Sequence, residues 1–121
     1  MAVNYFNELS LARGLPFRAI SRGTTPDSTT VPPTIVHGLR NDGFDVSGYK
    51  PAALTAADVT ASGRMILIDT DLASNMPNPS KAPEKWIDVP PASVNYEAAR
   101  EALKTHVANL LDRLSAERRL R

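Results

Sequence analysis

The sequence predicts an α/β fold in which helices cover both faces of a small sheet. Three observations carry that expectation. Segments with apolar residues at steps of three and four alternate with apolar runs too short to be helices. One stripe is long and continuous, from Tyr96 to Leu114. The chain has 121 residues, of which 42% are apolar and 22% charged, enough for a single domain with its own core.

The elements follow in order. Ala2 to Arg13 reads as a helix, because Val3, Phe6 and Leu9 make an apolar stripe with Tyr5 and Ala12 beside it. Gly14 stands where a left-handed residue closes a helix. No N-cap residue precedes the stripe. Pro16 to Ser21 reads as a strand, with Phe17 and Ala19 on one side and Ile20 on the other. Gly23 to Val31 is polar and rich in turn formers, hence a loop. Pro32 and Pro33 suit the first turn of a second helix, whose buried face is Ile35, Val36 and Leu39 and whose end is Gly43. Phe44, Val46 and Tyr49 fall in a compact connection.

Thr55-Ala56-Ala57-Asp58 resembles a capping box and opens a short helix to about Ser62. Met65 to Ile68 is wholly apolar, which suits a strand covered on both faces. Ser74 to Pro83 is a loop rich in Pro, Asn and Ser, and Lys85 to Val89 is a last strand that Pro90 and Pro91 terminate. Asn95 caps a long helix to about Ala116. Its stripe of Tyr96, Ala99, Leu103, Val107, Leu110 and Leu114 advances by three, four, four, three and four residues. Arg113, Arg118, Arg119 and Arg121 gather at its C-terminal end, where the helix dipole favours positive charge. A solvated basic helix end explains them without a phosphate or nucleic acid.

Composition removes several functions. A net charge of +1 leaves no broadly basic face, so no nucleic-acid partner is expected. With no Cys there are no disulfides, no thiolate ligands and no thiol nucleophile. No apolar run approaches the ~20 residues of a membrane span, and MAVNYFNEL does not read as a signal peptide. The expected compartment is the cytoplasm, with no membrane partner.

Gly43 to Gly48, then Pro51 and Leu54 to Asp58, together with stretches at Tyr5, Phe17, Met65, Trp86 and Tyr96, resemble the low-molecular-weight protein tyrosine phosphatases and the related arsenate reductases. Met1-Ala2 with Tyr5-Phe6-Asn7 looks like the middle of that family's first helix. Phe17 to Thr24 resembles its second strand and the small-residue turn after it. The most specific match is Gly43-Phe44-Asp45-Val46-Ser47-Gly48, then Pro51 and Leu54 to Asp58. It resembles a segment in which a helix ends, the chain passes a Ser-Gly turn, and a short helix opens with Leu-Thr. Met65 to Asp69, Trp86 to Pro91 and Tyr96 to Leu111 resemble the next strand, the acid loop with its strand, and the terminal helix.

The resemblance implies a three-layer sandwich on a small parallel sheet of strand order 2-1-3-4. It makes 1–121 a single domain that is N-terminally incomplete, lacking its first, central strand. In the family that strand leads into a loop of Cys, five residues, Arg and then Ser or Thr, which cradles an oxyanion and supplies the thiolate. Met1 falls after the position of that loop, so the chain as given is expected to be inactive. A gene start placed too far downstream, or a genuine remnant, both fit. The remaining strands are expected to close into a three-stranded sheet. Pairing between chains through the exposed edge, or partial order, are the other outcomes.

What the resemblance leaves of the site is a general acid. The family carries an Asp on the loop before the terminal helix, usually ahead of Pro, that protonates the leaving oxygen. Asp88 is the carboxylate of that loop here, although Val89 separates it from Pro90. It is either the acid's counterpart or a surface residue at a strand end. The implied partner of the intact family is a phosphorylated protein or another oxyanion substrate; phosphotyrosine, arsenate and other phosphorylated partners stay open.

Other constellations are weaker. Asp69-Thr70-Asp71 ends an apolar strand, where paired carboxylates can hold Mg²⁺ but more often cap a turn. An unrelated metal enzyme built on Asp69, Asp71 and Asp88 is the least favoured reading. His37 and His106 lack partners at ligand spacing, so zinc is not expected. Neither a serine-hydrolase elbow nor a dinucleotide fingerprint occurs, and no cofactor is expected. Trp86 reads as a core aromatic.

Overall fold

The computed structural model describes residues 1–23, 32–46, 49 and 52–119. The expected loop over 24–31, the turn residues Ser47, Gly48 and Pro51, and Arg121 lie outside them. The elements are α1 (Ala2–Ala12), α2 (Pro33–Asn41), α3 (Ala56–Ala61), β1 (Ile66–Ile68), β2 (Glu84–Trp86) and α4 (Tyr96–Arg119). Together they make a small α/β fold with one two-stranded parallel sheet. No helix among the described residues is long and apolar enough to cross a membrane.

The helices end as their sequences dictate. Gly14 takes φ +66° after α1, its N–H bonds Leu11 O at 3.0 Å, and the Leu15 N–H bonds Ser10 O at 2.9 Å. Gly43 repeats the device after α2 at φ +92°, with Gly43 N–H to Arg40 O at 3.0 Å and Phe44 N–H to Leu39 O at 2.9 Å. Both pairs of bonds satisfy carbonyls that a helix end leaves open, and both need a residue without a Cβ. The capping box of α3 is complete, since Thr55 Oγ1 accepts from the Asp58 N–H and Asp58 accepts from the Thr55 N–H, each at 3.1 Å. Asn95 Oδ1 accepts from the Ala98 N–H at 3.1 Å and so caps α4, which runs past its expected end near Ala116 to Arg119.

The core lies along α4. Ala99, Leu103, Val107, Leu110 and Leu111 are buried there, with Leu114 partly buried against them. Phe6 from α1 and Trp86 from β2 complete the cluster. Leu111 broadens the expected stripe by one position, because Val107 and Leu111 are one turn apart. Where α2 meets α4, Gly38 lies so close to the Tyr96 ring that a Cβ would stand 2.5–2.6 Å from three ring carbons. Below that contact the Tyr5 hydroxyl donates to Asp42 at 2.6 Å and lies 2.7 Å from the Tyr96 hydroxyl. Arg100 pairs with the other Asp42 oxygen at 3.5 Å. Burial, followed by these hydrogen bonds, pushes the Tyr5 phenol well above its usual range.

The strand expectations need correction. Pro16–Ser21 is not a strand: its backbone groups are taken by side chains of α1 instead of a ladder. Asn7 uses both ends of its amide on Ala19, accepting from its N–H at 2.8 Å and donating to its carbonyl at 3.1 Å. Ser10 donates to the Phe17 carbonyl at 2.9 Å. The expected alternation survives, with Phe17 and Ala19 against the core and Ile20 62% exposed. Its last residue, Ser21, places its hydroxyl 2.7 Å from that of Tyr49, and just beyond it Gly23 forms a parallel bridge with Ala53.

The sheet therefore has two strands among the described residues, not the three expected to close together. β1 aligns Ile66, Leu67 and Ile68 with Glu84, Lys85 and Trp86. Both of its faces find cover, since Leu67 is buried on one and Ile66 packs against the core cluster on the other, and the cover stops at Ile68, which is 36% exposed. β2 is displaced from the expected Lys85–Val89 to Glu84–Trp86. Beyond it Ile87 is 78% exposed, while Val89 turns back against the core.

Candidate functional site

In a parallel pair both strands end on the same side, and in open α/β sheets ligands bind beyond those carboxyl ends. Asp69 follows β1 directly and Asp88 lies two residues past β2, so both stand at that end. Asp69 takes φ +53°, a conformation that a short polar side chain tolerates, and its N–H bonds the Trp86 carbonyl at 3.0 Å. The turn thus locks the end of β1 to the end of β2.

The side chains of Glu84, Trp86 and Asp88 meet α4 at two points two turns apart. Residues two apart on a strand share a face, and so do residues seven apart on a helix. Glu84 pairs with Arg113 through two bonds, at 2.6 and 2.8 Å, and accepts the Trp86 indole N–H at 2.6 Å. Trp86 is buried and stacks flat on the His106 ring, with centroids 4.6 Å apart and planes 14° from parallel. His106 Nε2 then lies 2.6 Å from Asp88 Oδ1. The row Arg113–Glu84–Trp86–His106–Asp88 runs from the sheet to the loop that leads into α4.

The charges follow from these partners. The Arg113 guanidinium, helped by the Trp86 N–H, holds the Glu84 carboxyl down to about 2, and Glu84 raises Arg113 in return. The hydrogen bond from His106 holds the Asp88 carboxyl below its usual range. Asp88 is otherwise open to solvent, with 70% of its side chain exposed. A carboxyl in this state is an anion near neutral pH. To donate a proton there it must first separate from His106.

The remaining sequence candidates are dispersed. Asp71 forms an ion pair with Lys85, and His37 is exposed on α2. No group of three or more His, Asp or Glu side chains among the described residues could share a metal ion. Arg113, expected as part of a solvated basic end, is instead committed to Glu84. His106 is the residue that sequence reasoning passed over. Its signal was the alternation Glu84-x-Trp86-x-Asp88 set against a seven-residue spacing on the helix, and it becomes readable only once β2 is known to dock on α4.

A scan against models of protein families, a search of curated proteins and a search of solved structures find no match to this chain.

Proposed function

We propose that residues 1–121 form part of a domain like that of the low-molecular-weight protein tyrosine phosphatases and arsenate reductases, contributing its acid loop and terminal helix but not its nucleophile. The observation that carries this reading is the position of Asp88: an exposed carboxylate past the carboxyl end of a parallel strand, on the loop entering the long last helix. In this reading Asp88 is the counterpart of the general acid, released from His106 when it acts. The substrate is a phosphorylated protein or another oxyanion. The chain contains no Cys, so the phosphorus-attacking thiolate belongs to residues outside 1–121. The sheet of the whole domain then includes further strands, and helices cover both its faces as a three-layer sandwich.

The test is to read the gene in frame upstream of the first codon. The proposal expects an apolar strand followed by Cys, five residues, Arg, and Ser or Thr. An in-frame stop codon directly before Met1 would sink it.

A second reading, a binding remnant that self-associates through its sheet, is favoured by one observation. The two-stranded sheet leaves an unpaired edge on each strand among the described residues, and Ile68 and Ile87 are exposed at its end. Light scattering across a concentration series separates the two: a dimer supports the second reading, and a monomer at high concentration removes it.

A further inference from the structure

The pair of Asp88 and His106 joins a loop to a helix. Asp88 has left β2, and although its neighbour Val89 packs on the core, its carboxylate has no other side-chain partner among the described residues, whereas His106 is held on two sides. It sits within α4, whose neighbouring positions Leu103, Val107 and Leu110 are buried, and its ring lies flat on the buried indole of Trp86. Trp86 is in turn pinned by its N–H bond to Glu84, which Arg113 clamps. The rigid partner is therefore the histidine, and the carboxylate is the group that is positioned.

We propose that His106 is a positioning residue for Asp88, holding the carboxylate and the start of the 87–95 loop against α4 through its Nε2. For its catalytic meaning this rests on the reading of Asp88 as an acid, with His106 holding the carboxylate in its resting, ionised place until it is released to donate a proton, but the contact itself stands apart from that reading. Two acidic groups face the His106 ring from the strand and its continuation: Asp88 in contact, and Glu84, whose charge is already matched by Arg113. On its own helix the nearest charge of this row is Arg113, two turns away. Asp88 is thus the one acidic group facing His106 that has no other cation in the row. The consequence for chemistry is that the same contact that orients the carboxyl also keeps it ionised. His106 then governs the pH range in which Asp88 can carry a proton.

The experiment follows the Asp88 side-chain carboxyl carbon by NMR through an acid titration of the intact chain. In the unaltered protein Asp88 should titrate below its ordinary value of 3.8. In His106→Phe, which keeps an aromatic ring on Trp86 but removes the N–H, it should rise toward that ordinary value. An unchanged Asp88 titration in a folded His106→Phe protein would overturn the proposal. Should that variant not fold, Asp88→Asn provides the reverse reading on an exposed loop. The His106 ring-nitrogen shifts should move in Asp88→Asn, and identical shifts would overturn the proposal equally. Neither readout depends on phosphatase chemistry, so an in-frame stop codon upstream can refute the functional reading while the contact stands.

Discussion

α4 and the helices around it close their own backbone hydrogen bonds, while among the described residues β1 and β2 have only each other as neighbours. The helical region caps its ends locally, at Gly14, Gly43, Thr55 and Asn95, and buries a continuous face from Ala99 to Leu111. The sheet region is three residues long, exposes Ile68 and Ile87, and is tied to the core through Trp86, Ile66 and the pair of Glu84 with Arg113. Most of the buried side chains belong to the helices, with Leu67 and Trp86 as the sheet's share, while the exposed carboxylates Asp69 and Asp88 stand at the less supported end of the sheet.

Substitutions can break that contrast. Leu111→Ala removes a fully buried side chain from the centre of α4 and should cost about 2–5 kcal/mol in urea unfolding. The same change at Ile87, 78% exposed, should stay within about 0.5 kcal/mol. Equal losses at the two positions would show that the sheet end carries as much of the core as the helices.

Gly38→Ala sharpens the helical side of the comparison. Helix propensity alone favours alanine by about 1 kcal/mol. The new Cβ would fall 2.5–2.6 Å from the Tyr96 ring, so overpacking should win and the net loss should be about 1–3 kcal/mol. A stabilised variant would mean that α2 and α4 have room to part.

Asn7→Ala addresses the segment between the two regions. Losing its amide strips both backbone partners from Ala19, which should cost about 1–3 kcal/mol. It should also speed hydrogen exchange at residues 17–21. Unchanged exchange there would show that the segment is held by something other than α1.

The smallest effect is electrostatic. Glu84 has its pKa depressed from 4.5 to about 2, so its ion pair contributes stability above 4.5 that is lost as pH falls toward 2. Arg113 is half exposed, and water screens much of the gain. Glu84→Gln should therefore flatten the acid limb of the stability profile between those two values while leaving the helices intact. An acid limb identical to that of the unaltered chain would remove Glu84 as an anchor.

The same division explains how much could be read in advance. Gly14, Gly43, Thr55 and Asn95 act on atoms within a few residues of themselves, so the helices were legible from local spacing. The extent of the strands depends on partners far away in the chain. Pro16–Ser21 has the alternation of a strand, yet Asn7 and Ser10 occupy its hydrogen bonds. Met65 to Ile68 is apolar enough for two covered faces, and Leu67 and Ile66 do find cover on opposite sides, yet that cover stops short of Ile68. Asp88 was visible as an exposed acid after a strand. Its partner His106 was not, because a contact across eighteen residues of sequence needs the docking of β2 on α4.

The most direct measurement is hydrolysis of an aryl phosphate by purified 1–121 against a mock preparation. The expected rate is indistinguishable from the mock, because in the proposed reading Asp88 supplies only the acid and the chain holds no Cys for thiolate attack. A rate well above the mock that falls in Asp88→Asn would contradict it, and would place a complete catalytic centre within these residues.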